Sequence, residues 1–136
     1  MRTLLFSLWQ WTWGLPQTLI GAAVYLATIV CKRERYHGAV VTHWNRYDSL
    51  GMGMFLFLGK REDRQVLVHE YGHAVQSLIL GPLFLPIMGF PSFLWAGLPC
   101  CRRLRKRKNI SYYAFYPERN ANRLGSWTVK EPCNLK

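Results

Sequence analysis

Arg61-Glu62-Asp63-Arg64-Gln65-Val66-Leu67-Val68-His69-Glu70-Tyr71-Gly72-His73-Ala74-Val75-Gln76-Ser77-Leu78-Ile79-Leu80 is the stretch on which the reading of this chain turns. Val66, Leu67, Tyr71, Ala74, Val75 and Leu78 recur at helical spacing, and Glu62-Asp63 stand where acidic side chains favour a helix start. Gly81-Pro82 follows and stops the helix. Within it His69 and His73 are four apart, so their imidazoles project from one face, one turn apart, in reach of a single zinc ion. Glu70, beside the first histidine, is then placed to act as general base on a water at that ion.

A catalytic zinc site needs a third protein ligand and an open position. Position 79 is Ile, so the elongated motif with a third histidine is excluded. His37 and His43 lie upstream, on or beside a predicted strand, where lone histidines are usually structural or solvated. Downstream of the motif only Glu118 and Glu131 are acidic, and Glu131 stands beside a proline in the tail. Pro117 suits the first turn of a second helix, which puts Glu118 and Asn122 on one face. Glu118 is the expected third ligand, with Asn122 one turn on as an amide partner for a histidine. Tyr112, Tyr113 and Tyr116 lie just before Glu118; one could stabilise a tetrahedral intermediate, although aromatics there equally serve as core.

Around this centre the chain of 136 residues has room for one domain, and half its residues are hydrophobic, which excludes disorder. Residues 1–35 form an apolar block with Trp9, Trp11 and Trp13, broken at Gly14-Leu15-Pro16 and closed by Lys32-Arg33-Glu34-Arg35. They are expected to form a membrane anchor rather than a cleavable signal peptide, since no small-x-small cleavage site is present. Residues 39–42 and 52–58 read as strands with a polar loop between them. Residues 81–101 are apolar but broken by Pro82, Pro86, Pro91 and Pro99, so a straight span is not expected there. Residues 36–129 then form the domain proper, and residues 130–136 a frayed tail.

The net charge of +11 is concentrated in Lys32-Arg33-Glu34-Arg35 and in residues 102–108, each closing an apolar run. That pattern suits an anionic membrane leaflet, and no finger, RNA-recognition or helix-turn-helix signature supports nucleic acid as partner. Cys31, Cys100, Cys101 and Cys133 form no Cys-x-x-Cys pair and no disulfide framework, and read as free thiols. For His69, His73 and Glu118 to meet, the chain before and after residues 81–101 must end on one side of any bilayer. Both basic clusters then share that side, expected to be the cytoplasmic face of a bacterial inner membrane.

The arrangement resembles the gluzincin metallopeptidases, with His-Glu-x-x-His on one helix and a glutamate ligand on a later one. More narrowly, residues 52–125 resemble bacterial proteins with a His-Glu-Tyr-Gly-His motif and no established substrate, also found as modules of repeat-containing toxins. The resemblance rests on residues 69–77, Gly81-Pro82-Leu83-Phe84-Leu85, Gly89-Phe90-Pro91-Ser92, and Glu118 with Ala121-Asn122-Arg123. Similar Glu-x-x-Ala-Asn strings occur in peptidases that cleave phage repressors. Pro117 departs from the expected Thr. The resemblance implies an α+β, zincin-like domain: a short β-hairpin, an active-site helix, a later ligand helix, and here the N-terminal anchor. It also implies a zinc metalloendopeptidase acting on a protein or peptide. Two alternatives are a non-catalytic membrane-bound interaction protein with a structural metal, and a site-2-type intramembrane protease. The latter needs a later aspartate, and none follows Asp63. A third treats the chain as a membrane-active polypeptide with an accidental motif.

Overall fold

The computed structural model describes residues 2–60 and 63–136; Met1 and the expected helix start at Arg61 and Glu62 lie outside the described residues. In chain order the elements are α1 (Arg2–Thr12), α2 (Leu15–Ala27), β1 (Lys32–Tyr36), β2 (Ala39–His43), β3 (Leu50–Met52), β4 (Phe55–Leu58), α3 (Arg64–Leu80), α4 (Phe90–Gly97), α5 (Pro99–Lys108) and α6 (Tyr116–Val129). The fold is α+β. Its sheet has the order β1-β2-β4-β3, with two antiparallel hairpins joined by a parallel β2–β4 pairing.

The sequence places one strand over residues 52–58, and the chain makes two. Gly53, at φ 60°, turns the backbone so that Met52 pairs back with Phe55. β4 therefore lies between β2 and β3, and β3 is one edge of the sheet, β1 the other. The basic run Lys32-Arg33-Glu34-Arg35, read as a membrane flank, forms most of β1 and pairs with β2.

α3 is the centre of the molecule. Asp63 caps it by accepting from the Gln65 N–H at 2.9 Å. Leu67, Tyr71, Ala74 and Val75 pack on Ala39, Val41, Leu56 and Leu58 of the sheet and on Phe6 of α1. Every residue from Leu67 to Ser77 is buried, so the helix is enclosed all round rather than on the single apolar face its spacing predicts. The opposite side meets α6. A Cβ on Gly72 would stand 2.0 Å from the Ala121 carbonyl oxygen, and one on Gly125 would stand 2.1 Å from that of Val68. The two backbones touch.

The expected N-terminal anchor is not one straight helix. The apolar block breaks after Thr12 into helices of 11 and 13 residues, and no single described helix is long and apolar enough to cross a membrane. The physical reason lies in three polar residues scattered through the apolar run. Gln10 donates to the Ala74 carbonyl at 3.0 Å and accepts from Ser77 Oγ at 2.9 Å. Gln17 donates to Ser77 Oγ at 2.6 Å and to the Gly81 carbonyl at 3.1 Å, and Thr18 donates to the Gln10 carbonyl at 3.0 Å. All three are fully buried, and their partners lie on or at the ends of α1 and α3. Lipid would offer such groups nothing.

Residues 81–101 bend as their prolines require. A short turn, Gly81–Leu83, and a π-type turn, Leu85–Gly89, carry the chain through 120° between α3 and α4. The tail is not frayed. Glu131 pairs with Arg64 at 2.6 Å and accepts from the Tyr36 hydroxyl at 3.2 Å, while the Asn134 N–H donates to Gln65 Oε1 at 2.8 Å.

The α3–α6 contact makes a sharp forecast. Gly72→Ala forces the two backbones apart and lowers the thermal midpoint by roughly 5–10 °C. Gly97→Ala, where an added Cβ meets nothing within 4 Å, leaves it unchanged. Paired melting curves decide.

Candidate metal centre

Three side chains from two helices converge. His69 and His73 come from consecutive turns of α3, and Glu118 from the first turn of α6. His69 Nε2 lies 3.1 Å from Glu118 Oε2, and His73 Nε2 lies 3.5 Å from the same oxygen. One ligand atom from each residue falls within 4.8 Å of the other two, and all three residues are buried. The expected trio is brought together.

The outer nitrogens are equally defined. His69 Nδ1 is 2.6 Å from Asn122 Oδ1, and His73 Nδ1 is 2.8 Å from Gln76 Oε1. The Gln76 amide is itself oriented, because its Nε2 donates to the Pro117 carbonyl at 2.8 Å and to Asn120 Oδ1 at 2.9 Å. Each amide oxygen favours a proton on Nδ1, so in the neutral rings each Nε2 presents its lone pair towards the Glu118 carboxylate. Such a buried set of acceptors repels unless a proton on Nε2 or a metal cation lies among them. Two imidazole nitrogens and one carboxylate oxygen suit a borderline divalent ion. The residues present fit a metal.

Glu70 sits against the same space from the sheet side. The Gly51 backbone lies against its carboxylate: a Cβ on Gly51 would lie 3.0 Å from both Glu70 Oε2 and His73 Cβ. Burial raises the Glu70 carboxyl above the usual range, against the pull of the neighbouring histidines. Burial would also raise Glu118, but hydrogen bonds from His69, His73 and Ser92 hold it well below the usual range. For His73, burial opposes the charge, yet the bond to Glu118 and the nearby carboxylates lift the imidazole to about 9 when no metal is present.

The tyrosines divide. The Tyr112 hydroxyl is within hydrogen-bonding reach of Ser92 and Glu118, and burial together with the Glu118 charge raises it. The Tyr113 ring meets the His69 ring edge-on at 5.1 Å, and burial pushes its hydroxyl up to about 12. Tyr116 is turned away, its hydroxyl donating to the Ile87 carbonyl at 2.5 Å. His37 and His43 are apart from the cluster: His37 packs on Tyr36 and Tyr71, and His43 lies 3.1 Å from Glu34.

Three contributors escape the sequence reading. Gln76 stands three residues after His73 on the same helix, the spacing logic that identifies Asn122 after Glu118, and was findable. Ser92 of α4, whose Oγ donates to Glu118 Oε1, arrives only through the 120° bend. Gly51 arrives from the edge strand and carries no side chain to announce it. Comparisons with protein-family models, with curated proteins and with solved structures found no match.

Two measurements follow from this geometry. Asn122→Ala and Gln76→Ala each weaken zinc binding by roughly 10- to 100-fold in competition with a chromophoric chelator, whereas His43→Ala does not. Below about 9 the metal-free His73 holds a proton that a metal must displace. Calorimetry at neutral pH, in buffers of differing ionisation enthalpy, therefore reads release of about one proton per ion from this residue.

Proposed function

We propose that the protein is a zinc metallopeptidase of gluzincin type, hydrolysing peptide bonds in a protein or peptide substrate. One observation carries the reading: Glu70, a buried carboxylate, flanks a buried cluster of two histidines and a glutamate drawn from two helices. A purely structural site has no use for that fourth group. The resemblance to His-Glu-Tyr-Gly-His proteins adds support from the sequence side.

His69, His73 and Glu118 would hold the ion, with Asn122 and Gln76 fixing the imidazole tautomers. When bound, zinc supplies a water activated near pH ~7 and polarises the scissile carbonyl. The residues of the chain do the rest. Glu70 accepts the proton from the attacking water and passes it to the departing amine. Its raised proton affinity suits that exchange, since a carboxylate of ordinary basicity takes up a proton from water less readily at neutral pH. Tyr113, beside His69, and Tyr112, beside Glu118, are the hydroxyls near enough to donate to a developing oxyanion. Of the two edge strands β1 and β3, β3 is the one whose Gly51 lies against Glu70, so an extended substrate segment would add there rather than along β4.

Glu70→Gln tests the reading. Zinc binding is retained, while cleavage of a peptide library followed by mass spectrometry falls by about 10²-fold or more. Metal-loaded wild-type protein that cleaves nothing leaves the ion a structural part and overturns the proposal.

A further inference from the structure

Residues 3–31 and 79–101 contain no Asp, Glu, Lys or Arg. In a water-soluble domain such runs are interior, yet here their outer faces lie open. Leu4, Leu8, Leu19, Leu26, Phe90 and Phe93 are each more than half exposed (52–71%). Neither the π-type turn before α4 nor α4 itself has a single buried residue. α1 and α2 meet the end of α3 at Gly81, from which the bend leads into α4. Trp9 Nε1 donates to the Leu78 carbonyl at 3.2 Å, and the Trp13 indole lies against Gly81, where an added Cβ would stand 2.4 Å from it. Gln17 ties α2 to the same glycine. A soluble monomer rarely exposes an apolar patch of this extent without a partner.

Charge identifies the partner. Both basic clusters are fastened to the apolar element each follows. The Arg33 guanidinium lies 3.8 Å over the Tyr25 ring and donates to the Tyr25 carbonyl at 3.0 Å, closing α2. That of Arg105 lies 5.0 Å over the Trp95 ring of α4. Around them Lys32, Arg35, Arg102, Arg103, Lys106 and Arg107 are exposed, and among the described residues none forms an ion pair. A second copy docked on this face would bring like charges together. An acidic protein would match the rim and leave the charge-free centre unmatched. A bilayer with anionic headgroups matches both, apolar against apolar and negative against positive. No single described helix is long and apolar enough to cross it. The bent pair 64–83 and 85–97 passes that test only with α3, which is enclosed from Leu67 to Ser77; the exposed elements are left to lie in the plane of the surface.

We propose that the protein docks in plane on an anionic lipid bilayer through the outer faces of α1, α2 and α4, its two basic clusters at headgroup level. The proposal stands whether or not the metal centre is catalytic.

Vesicle sedimentation with the full chain tests it, using phosphatidylcholine with and without phosphatidylglycerol. Binding occurs on the anionic vesicles and weakens as salt rises. The pair Phe90→Ser with Phe93→Ser lowers affinity on the order of a hundredfold. The pair Arg102→Gln with Arg103→Gln lowers it about tenfold. Trp127→Ser removes an aromatic that is 79% exposed on α6, a helix the proposed contact does not use, and leaves binding unchanged. Both phenylalanines are exposed, so unaltered melting curves verify that the variants fold. Absent binding to anionic vesicles overturns the proposal, as does equal loss in the Trp127 variant. So does a dimer that the Phe90/Phe93 pair dissolves in the absence of any vesicle binding.

Discussion

The closeness of two backbones governs this structure. At Gly72 the space a methyl group would need is filled by the carbonyl of Ala121, and at Gly125 by that of Val68. Because α3 and α6 touch at this depth, a glutamate side chain on α6 reaches imidazoles on α3, and all three ligand atoms share a space 4.8 Å across. A helix pair held apart by larger residues packs with axes 8–10 Å apart, the distance varying with the side chains at the contact. The ligand separation therefore inherits its value from small residues that carry no chemistry. The rest of the fold serves the same contact: the sheet supports α3 from one side, and α1 covers it with Phe6 and Gln10.

A second consequence of burial is that the cluster has no neutral resting form. Glu118 is held as a carboxylate with two imidazoles around it, and their outer nitrogens are committed to Asn122 and Gln76. Charge balance must come from protons or from a metal ion, and the amides favour the tautomer that admits the metal. Glu70 is the reverse case, a carboxylate whose principal influence is burial, only partly offset by the neighbouring histidines. Two carboxylates in one site thus receive opposite tuning, a division that acid–base chemistry uses.

How far the sequence foretold this varies with the range of the interaction. His69, His73 and Glu118 were legible because helical periodicity fixes which side chains share a face, and few acidic residues competed for the third position. Asn122 was legible for the same reason. Nothing local announces Gly51 or Ser92, which reach the site through a sheet register and a bend. That the N-terminal block folds as two short helices against α3 was not legible, because composition averages over it. Gln10, Gln17 and Thr18 are minor in a hydropathy sum, yet each is an unpaid polar group in lipid and a satisfied one against α3. The strand at 52–58 misled through one residue, Gly53, whose positive φ converts a run into a hairpin.

The last residues of the chain carry a practical consequence. Cys133 Sγ lies 3.2 Å from Asn122 Oδ1, and the Asn122 amide donates to the Leu135 carbonyl at 3.3 Å. The same Asn122 oxygen faces His69. The tail is thus mechanically in series with a ligand imidazole. A fusion or affinity handle attached after Lys136 pulls on the residue that orients His69, whereas one attached ahead of α1 is separated from the imidazoles by a helix. The choice of which end to tag is a choice about the ligand field.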